Sequence, residues 1–456
     1  MKLAFSDLAA AVGGTLRNVS GNGFVSCVST DSRKEIPNGL FFAIPGERFD
    51  GHDFLTAALK NGAVLLCVEE ESLHKLPPGA PALVVKSTQQ AYLDAAKFYR
   101  NTFPELKVVA LSGSSGKTST KEMLRSIFAE VYGEEHVLAT EGNTNNQIGV
   151  PYNLFRLNEN HKIAVIETGT NHFGEIQPLA RTIQPDAAVI VSIGRCHLEN
   201  LLSLEGVAAE KSDLFRSLKT GGTAVIPAGC PQNPILAKAA DPCNVVTAGE
   251  EDGDVFSIYL GGNIDGSAFL LKDTRSGEVA KVDWYLSGAH QASNAALAAA
   301  VAKSFGIPLK TIARGLENCS LPGLRMKKSV HLGATWINDA YNANPDSMRA
   351  TLTWLSEFAV PTKVLPVLGD MLETGENASR VHKEILEYAL ELFPEDKILA
   401  VGPLMTAAAQ ELASERIVSF PDSETCAEKI AEYVIPDGIV FLKASRGTHL
   451  EKVEPQ

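Results

Sequence analysis

Between residues 108 and 229 short apolar runs alternate with stretches of helical periodicity, an order that leaves few options besides a parallel sheet covered by helices. The runs are residues 108–111, 163–166, 187–193 and 224–226. After the first, Met123, Leu124, Ile127, Phe128 and Val131 recur at helical spacing, and Gly133 is placed to end that helix. A second series fills the last third, with runs at 335–337, 364–368, 398–401, 417–420 and 439–442. A chain of 456 residues exceeds one ordinary core, so about three domains are expected. Phe103-Pro104 and Pro322-Gly323 punctuate the chain, giving expected domains at residues 1–104, 105–320 and 321–456, the first a smaller mixed α/β unit.

The loop Gly113, Ser114, Ser115, Gly116, Lys117, Thr118, Ser119 lies between an apolar strand and an amphipathic helix, the setting a phosphate-binding loop requires. Its glycines let backbone N–H groups approach phosphate oxygens, Lys117 can bridge the β and γ phosphates, and the Thr118 hydroxyl suits Mg²⁺. Leu111 stands where the first glycine of the strict eight-residue pattern belongs, leaving the shorter Gly-x-x-Gly-Lys-Thr. The competing reading is a flexible Gly/Ser turn; strand, loop and helix together favour a nucleotide.

A net charge of −13 argues against broad binding of nucleic acid or anionic membrane, so anions must be met locally by a few placed cations, helix N-termini or metal ions. No stretch approaches the ~18 apolar residues of a membrane span, and a cytoplasmic protein is expected. The seven cysteines show no Cys-x-x-Cys spacing and read as reduced thiols.

Glu167 ends an apolar run, which places it at the carboxyl end of a strand, where open α/β sheets bind ligands; beside a phosphate loop it is a candidate Mg²⁺ ligand. His197 follows another strand and a turn at Gly194, although a lone loop histidine is more often solvated or structural. Lys211 shares a helical stripe with Val207, Leu214, Phe215 and Leu218. Its stem carries the ammonium out to water, or the ammonium is paired, or its pKa is lowered and it is chemically altered; elementary physics favours the first.

Residues 338–348 read Asn-Asp-Ala-Tyr-Asn-Ala-Asn-Pro-Asp-Ser-Met, after a strand and before a helix with apolar Met348, Leu352 and Leu355. Asn344 can cap that helix with Pro345 in its first position. Asp339, Tyr341 and Asn342 remain, clustered in the loop with no evident structural demand for them.

Asp-Ala-Tyr-Asn-Ala-Asn-Pro together with the 113–119 loop resembles the Mur ligases. Ser-Thr-Asp-Ser-Arg at 29–33, Gly-Glu-Arg-Phe-Asp-Gly-His at 46–52, residues 142–151, Leu-Gly-Asp-Met-Leu-Glu at 368–373 and Lys-Ala-Ser-Arg at 443–446 agree with it, so the similarity spans nearly the whole chain. The resemblance implies three domains, a central sheet of phosphate-loop type between a UDP-substrate-binding first domain and a Rossmann-like third domain that binds an incoming dipeptide. It implies an ATP-dependent amide ligase of peptidoglycan precursor synthesis, acting on UDP-N-acetylmuramoyl-tripeptide and D-Ala-D-Ala; a monomer is the default expectation.

By the same resemblance Thr118, Glu167 and His197 surround Mg²⁺, and Lys211 is carbamoylated by CO₂, which reverses the preference for an exposed ammonium. Lys117, His197 and Lys211 take catalytic roles; Asn294 falls near the adenine, Arg325 near the phosphates and Asp339 on the nucleotide. Thr30, Ser32, Arg48, Asn145, Asn146, Tyr341, Asn342 and Asn344 fall among substrate contacts. Gln291 and Pro227 stand where the family commonly carries Asn. The ligase adding the third amino acid and folylpolyglutamate synthase are the neighbouring readings. A GTP-binding switch lacks its Asn-Lys-x-Asp motif here, and a phosphate-loop kinase leaves the last third unexplained.

Overall fold

The computed structural model describes residues 1–19, 23–359 and 363–455. Residues 20–22, 360–362 and 456, which the expected first and third domains include, lie outside the described residues. The first part of the chain forms a five-stranded sheet in the order Thr15–Arg17, Ala82–Val85, Ala63–Glu69, Gly39–Phe42, Cys27–Ser29. Its first strand is antiparallel and the rest are parallel. Helix Thr88–Asn101, capped by the Ser87 side chain, joins this unit to the next. Its Tyr99 hydroxyl donates to Leu157 O at 2.7 Å, and the buried Arg100 donates to Ile183 O at 3.1 Å. One continuous apolar core therefore runs from Leu3 to Ala240.

The central sheet has nine strands in the order Val279–Trp284, Gly266–Asp273, Val255–Asn263, Asn244–Glu250, Thr223–Pro227, Ala187–Ile190, Lys107–Ser112, Ile163–Glu167, Val137–Ala139. The expected parallel strands lie at its centre; the sheet continues past residue 229 and closes with antiparallel pairings of Val255–Asn263, Gly266–Asp273 and Val279–Trp284. Helix Lys117–Tyr132 packs on one face and ends at Gly133, whose φ of +93° suits glycine. Val131, expected on its apolar stripe, is exposed instead. Beside it helix Ala289–Ser304 buries alanines all round, which lets it approach the sheet closely. The strand expected at 187–193 ends at Ile190, because its neighbour ends at Ser112 and Ser192 turns to accept from Ser114 N and Ser115 N of the phosphate loop.

The last part is a six-stranded sheet in the order Lys327–His331, Ala334–Asn338, Ile439–Lys443, Val364–Gly369, Ile398–Val401, Ile417–Phe420. It is parallel except for its first edge strand, with apolar cores on both faces. Among the described residues no helix is long and apolar enough to cross a membrane, and all seven cysteines are unpaired.

Candidate active site

Strands Lys107–Ser112, Ile163–Glu167 and Ala187–Ile190 are adjacent and parallel, so their carboxyl ends open onto one crevice. The phosphate loop crosses it. A Cβ on Gly113 would lie 3.0 Å from Val191 Cβ and 3.1 Å from Ser192 N, and Gly116 holds φ +78° with Asn294 Oδ1 2.6 Å from where its Cβ would be. The left-handed backbone at Gly116 calls for glycine, and at Gly113 a side chain would press on its neighbours. Ser114 N donates to Ser192 O at 3.0 Å, Ser115 N to Ser192 Oγ at 2.8 Å, and Gly194 N to Ser114 Oγ at 2.9 Å. Lys117 turns back to donate to Gly113 O at 2.6 Å. Leu111 is a fully buried strand residue whose carbonyl accepts from Thr168, so the tight turn begins two residues after the position of the missing glycine.

The Thr118 hydroxyl donates to Glu167 Oε2 at 3.1 Å and accepts from Arg325 at 3.1 Å. Glu167 is buried, and its other oxygen accepts from Asn145 Nδ2 at 2.8 Å. A carboxylate and a hydroxyl at the start of the loop helix are the hard oxygen donors Mg²⁺ takes, so these residues fit that ion. His197 pairs with a different carboxylate. It sits at φ +49° with Nδ1 2.8 Å from Glu373 Oε2, and among the described residues no group of three or more His, Cys, Asp or Glu is arranged to hold a metal.

Lys211 overturns the expectation of an exposed ammonium. It is 1 % exposed, and burial foremost, with the charge of Lys117 adding to it, pushes its pKa down to about 8 against the opposing influence of Cys196 and Glu210. Its helix, Leu204–Ser212, stops before Leu214 and Phe215, which are buried from the turn that follows. Glu210, absent from the expected site, is buried beside it. That carboxylate accepts from Gly174 N at 2.7 Å, Glu175 N at 3.0 Å and Ile176 N at 2.8 Å, capping helix Ile176–Ile183 from another element.

The signature loop of the last sheet reaches across to the phosphate loop. Asn344 Oδ1 accepts from Ser347 N at 2.8 Å, capping helix Pro345–Ser356 as expected, while its Nδ2 donates to Ser115 Oγ at 2.9 Å. Asp346 Oδ2 accepts from Arg195 N at 2.9 Å. The Arg325 guanidinium lies 3.7 Å from the Tyr341 ring centroid. Asp339 does meet a structural demand, contrary to the sequence reading: it pairs with the buried Lys443 of strand Ile439–Lys443. Asn342 lends its side-chain oxygen to Ala343 N at 2.9 Å and its carbonyl to Lys443 at 3.4 Å.

Other expected residues stand apart. Asn146 Oδ1 accepts from Ile148 N and Gly149 N at the start of helix Gly149–Phe155. Thr30, Ser32 and Arg48 lie on the first sheet's loops, with Ser32 buried and Arg48 exposed; among the described residues none bonds to the phosphate-loop cluster. Asn294 Nδ2 donates to the buried Gln291 at 3.3 Å, and Pro227 ends its strand, its carbonyl accepting from Asn233.

The segment Leu-Gly-Asp-Met-Leu-Glu is scaffolding with one projecting end. Asp370 caps helix Pro403–Leu412 through Leu404 N and Met405 N, Met371 N donates to His382, and Leu372 N donates to Ser445 Oγ at 2.9 Å. Glu373 then turns out at φ +63° toward His197, whose hydrogen bond, more than the farther Lys117, holds its carboxyl below the usual range. A cavity of about 670 Å³ opens here, lined by Asn143, Tyr341, Asn342, Glu373, Ser445 and Arg446 among others.

The Mur ligase family, catalytic domain, matches residues 24–101, the Mur ligase middle domain residues 111–302, and the Mur ligase, glutamate ligase domain, residues 324–446. UDP-N-acetylmuramoyl-tripeptide–D-alanyl-D-alanine ligase of Bacillus subtilis (strain 168) is 31% identical over 462 residues, covering 99% of this chain and 98% of that one. The chain belongs to the Mur ligase family. The enzyme of the same name from Haemophilus influenzae is 38% identical over 366 residues, covering 80% and 78%. A crystal structure of MurF from Acinetobacter baumannii superposes with TM-score 0.90 at 31% identity over 99% and 98% of the two chains. MurF ligase from Thermotoga maritima, solved in complex with ADP, gives 0.83 at 26% identity over 94% and 96%. Folylpolyglutamate synthase of Mycobacterium tuberculosis shares the fold, with TM-score 0.63 at 18% identity over 81% of this chain and 96% of that one.

Proposed function

We infer that this Mur ligase joins D-alanyl-D-alanine to UDP-N-acetylmuramoyl-tripeptide at the expense of ATP, releasing ADP and phosphate. The observation that carries the reading is the hydrogen bond from Asn344 of the signature loop to Ser115 of the phosphate loop, which makes one site of two motifs 229 residues apart. The relatives that match nearly the whole chain bear this activity in their names.

The chemistry asks for a carboxylate oxygen of the tripeptide to attack the γ-phosphorus while the bond to the ADP oxygen breaks. The dipeptide amine then adds to the acyl carbon, loses its proton, and expels phosphate, leaving an amide. Residues 105–320 hold ATP in this reading: the loop amides cradle its phosphates, Lys117 moves from Gly113 O to the γ-phosphate, and Arg325 lies against the same end of the loop helix. Residues 1–104 bind the UDP substrate through Thr30, Ser32 and Arg48, and residues 321–456 bring the dipeptide and close over ATP.

Thr118 and Glu167 would hold Mg²⁺, with His197 joining them on leaving Glu373; the ion, when bound, offsets phosphate charge. Lys211, with its amine partly neutral near pH 8, is suited to add CO₂ and become a carbamate, an anion beside Lys117. A cytoplasmic monomer is the proposed form. The third-residue ligase and folylpolyglutamate synthase are the competitors, and one assay separates them: phosphate release from ATP and UDP-N-acetylmuramoyl-tripeptide with D-Ala-D-Ala, a single diamino acid or glutamate as acceptor. Stimulation by the dipeptide alone is expected, and its absence would sink the assignment.

A further inference from the structure

We propose that Lys121 is a positioning residue, a buried ammonium that works through Thr140 to hold Thr118 and Glu167 at their separation. This rests on the reading of those two side chains as the donors to Mg²⁺. Lys121 is 1 % exposed, on a helix whose Met123, Leu124, Ile127 and Phe128 already bury an apolar face. A buried ion pair stabilises a fold no better than apolar side chains of the same volume, so packing alone does not account for this lysine. Its Nζ donates to Thr140 O at 2.8 Å and lies 2.8 Å from Glu122 Oε1. Glu122 also holds Arg125 Nε at 2.8 Å, so it keeps a partner if the ammonium is removed.

Thr140 links the ammonium to Glu167. It follows the edge strand Val137–Ala139, whose pairing with Ile163–Glu167 ends with Ala139 opposite Val165. Thr140 N still donates to Val165 O at 3.0 Å, but Glu167 N donates to the Thr140 hydroxyl at 2.9 Å rather than to a strand carbonyl. That substitution leaves the Thr140 carbonyl to accept Lys121. The threonine is itself buried, clamped from both sides. Thr118 and Lys121 stand three residues apart on helix Lys117–Tyr132 and so share a face. That face meets the end of strand Ile163–Glu167 at two depths: Thr118 at the Glu167 carboxylate, and Lys121, by way of Thr140, at the Glu167 backbone. The helix and the strand therefore cannot slide without changing the 3.1 Å between the hydroxyl and the carboxylate.

Manganese(II) reports on the pair without turnover, because electron paramagnetic resonance counts the free ion in a mixture of full-length protein and ADP. Lys121→Met keeps the stem and removes the charge; Thr140→Val removes only the hydroxyl. Each should weaken Mn²⁺ binding about tenfold, the usual cost of losing a group that orients a metal ligand. Thr140→Ser, which retains the hydroxyl, should bind the ion as the parent does. In Lys121→Met the urea midpoint should not fall, turnover should recover at raised Mg²⁺, and the KM for D-Ala-D-Ala should stay put. Parent-like Mn²⁺ affinity in Lys121→Met and Thr140→Val would overturn the inference and leave the ion site standing. So would a loss of affinity that comes with a lower urea midpoint and a raised KM for every substrate, since Lys121 would then be a structural tie alone. A parent protein that binds no Mn²⁺ with ADP would overturn the reading of Thr118 and Glu167 as well.

Discussion

Replacing Lys211 by Met should give a protein that is inactive yet more stable than its parent, by an amount that shrinks as pH rises. Met matches the lysine stem in length and brings no charge into a site that is 1 % exposed. The Lys211 pKa falls from 10.5 to about 8 on folding, chiefly because burial disfavours the ammonium. Below pH 8 both folded and unfolded chains carry the proton, and the folded one bears the full cost of the buried charge, about 3 kcal/mol for a shift of that size. Between pH 8 and 10.5 the unfolded chain holds a proton the folded chain has lost. The parent therefore gains stability through that window and the Met variant does not. Roughly 2 kcal/mol of the difference should vanish by about pH 9.5.

Urea unfolding followed by circular dichroism, in buffer freed of CO₂ at about pH 7, 8.5 and 9.5, measures the gap directly. A gap that stays constant across that range would refute the reasoning, since it would mean that the ammonium is solvated or paired. Nucleotide binding should survive in the variant, because no hydrogen bond of the phosphate loop runs through residue 211 among the described residues. Turnover by Lys211→Met would remove the lysine from the mechanism.

Glu210→Ala should destabilise the protein by about 1 to 3 kcal/mol, since it strands the buried N–H of Ile176 and leaves those of Gly174 and Glu175 to water; faster hydrogen exchange at these amides checks it, and an unaltered urea midpoint contradicts it. Gly116→Ala combines an unfavourable φ of +78° with a Cβ 2.6 Å from Asn294 Oδ1, so ATP affinity measured by calorimetry should fall about tenfold or more. Equal affinity would show that the loop does not need its observed turn.

The inner strands were legible because buried parallel strands are apolar along their whole length, as Ile398–Val401 is; the edge strand Ile417–Phe420 keeps its apolar ends although Ser419 between them is exposed. The strands from Asn244 to Trp284 were missed, as partly exposed strands with polar and glycine positions such as Val255–Asn263 break the run. Thr118 and Glu167 could be placed because each is fixed by its own strand or loop. Glu210 could not, because its partners arrive from a loop 34 to 36 residues earlier. Asp339 looked idle for the same reason, its partner Lys443 being 104 residues away on a neighbouring strand. Lys211 misled simple physics because snorkelling presumes a surface within reach of the stem, and the Leu204–Ser212 helix is covered there by its neighbours.

Oxygen-18 in the reacting carboxylate of UDP-N-acetylmuramoyl-tripeptide tests the acyl phosphate most directly. An oxygen that attacks the γ-phosphorus leaves with it when the amine displaces phosphate. Mass spectrometry of the inorganic phosphate released with D-Ala-D-Ala should therefore find one labelled oxygen per molecule formed, and unlabelled phosphate alongside amide product would contradict the mechanism.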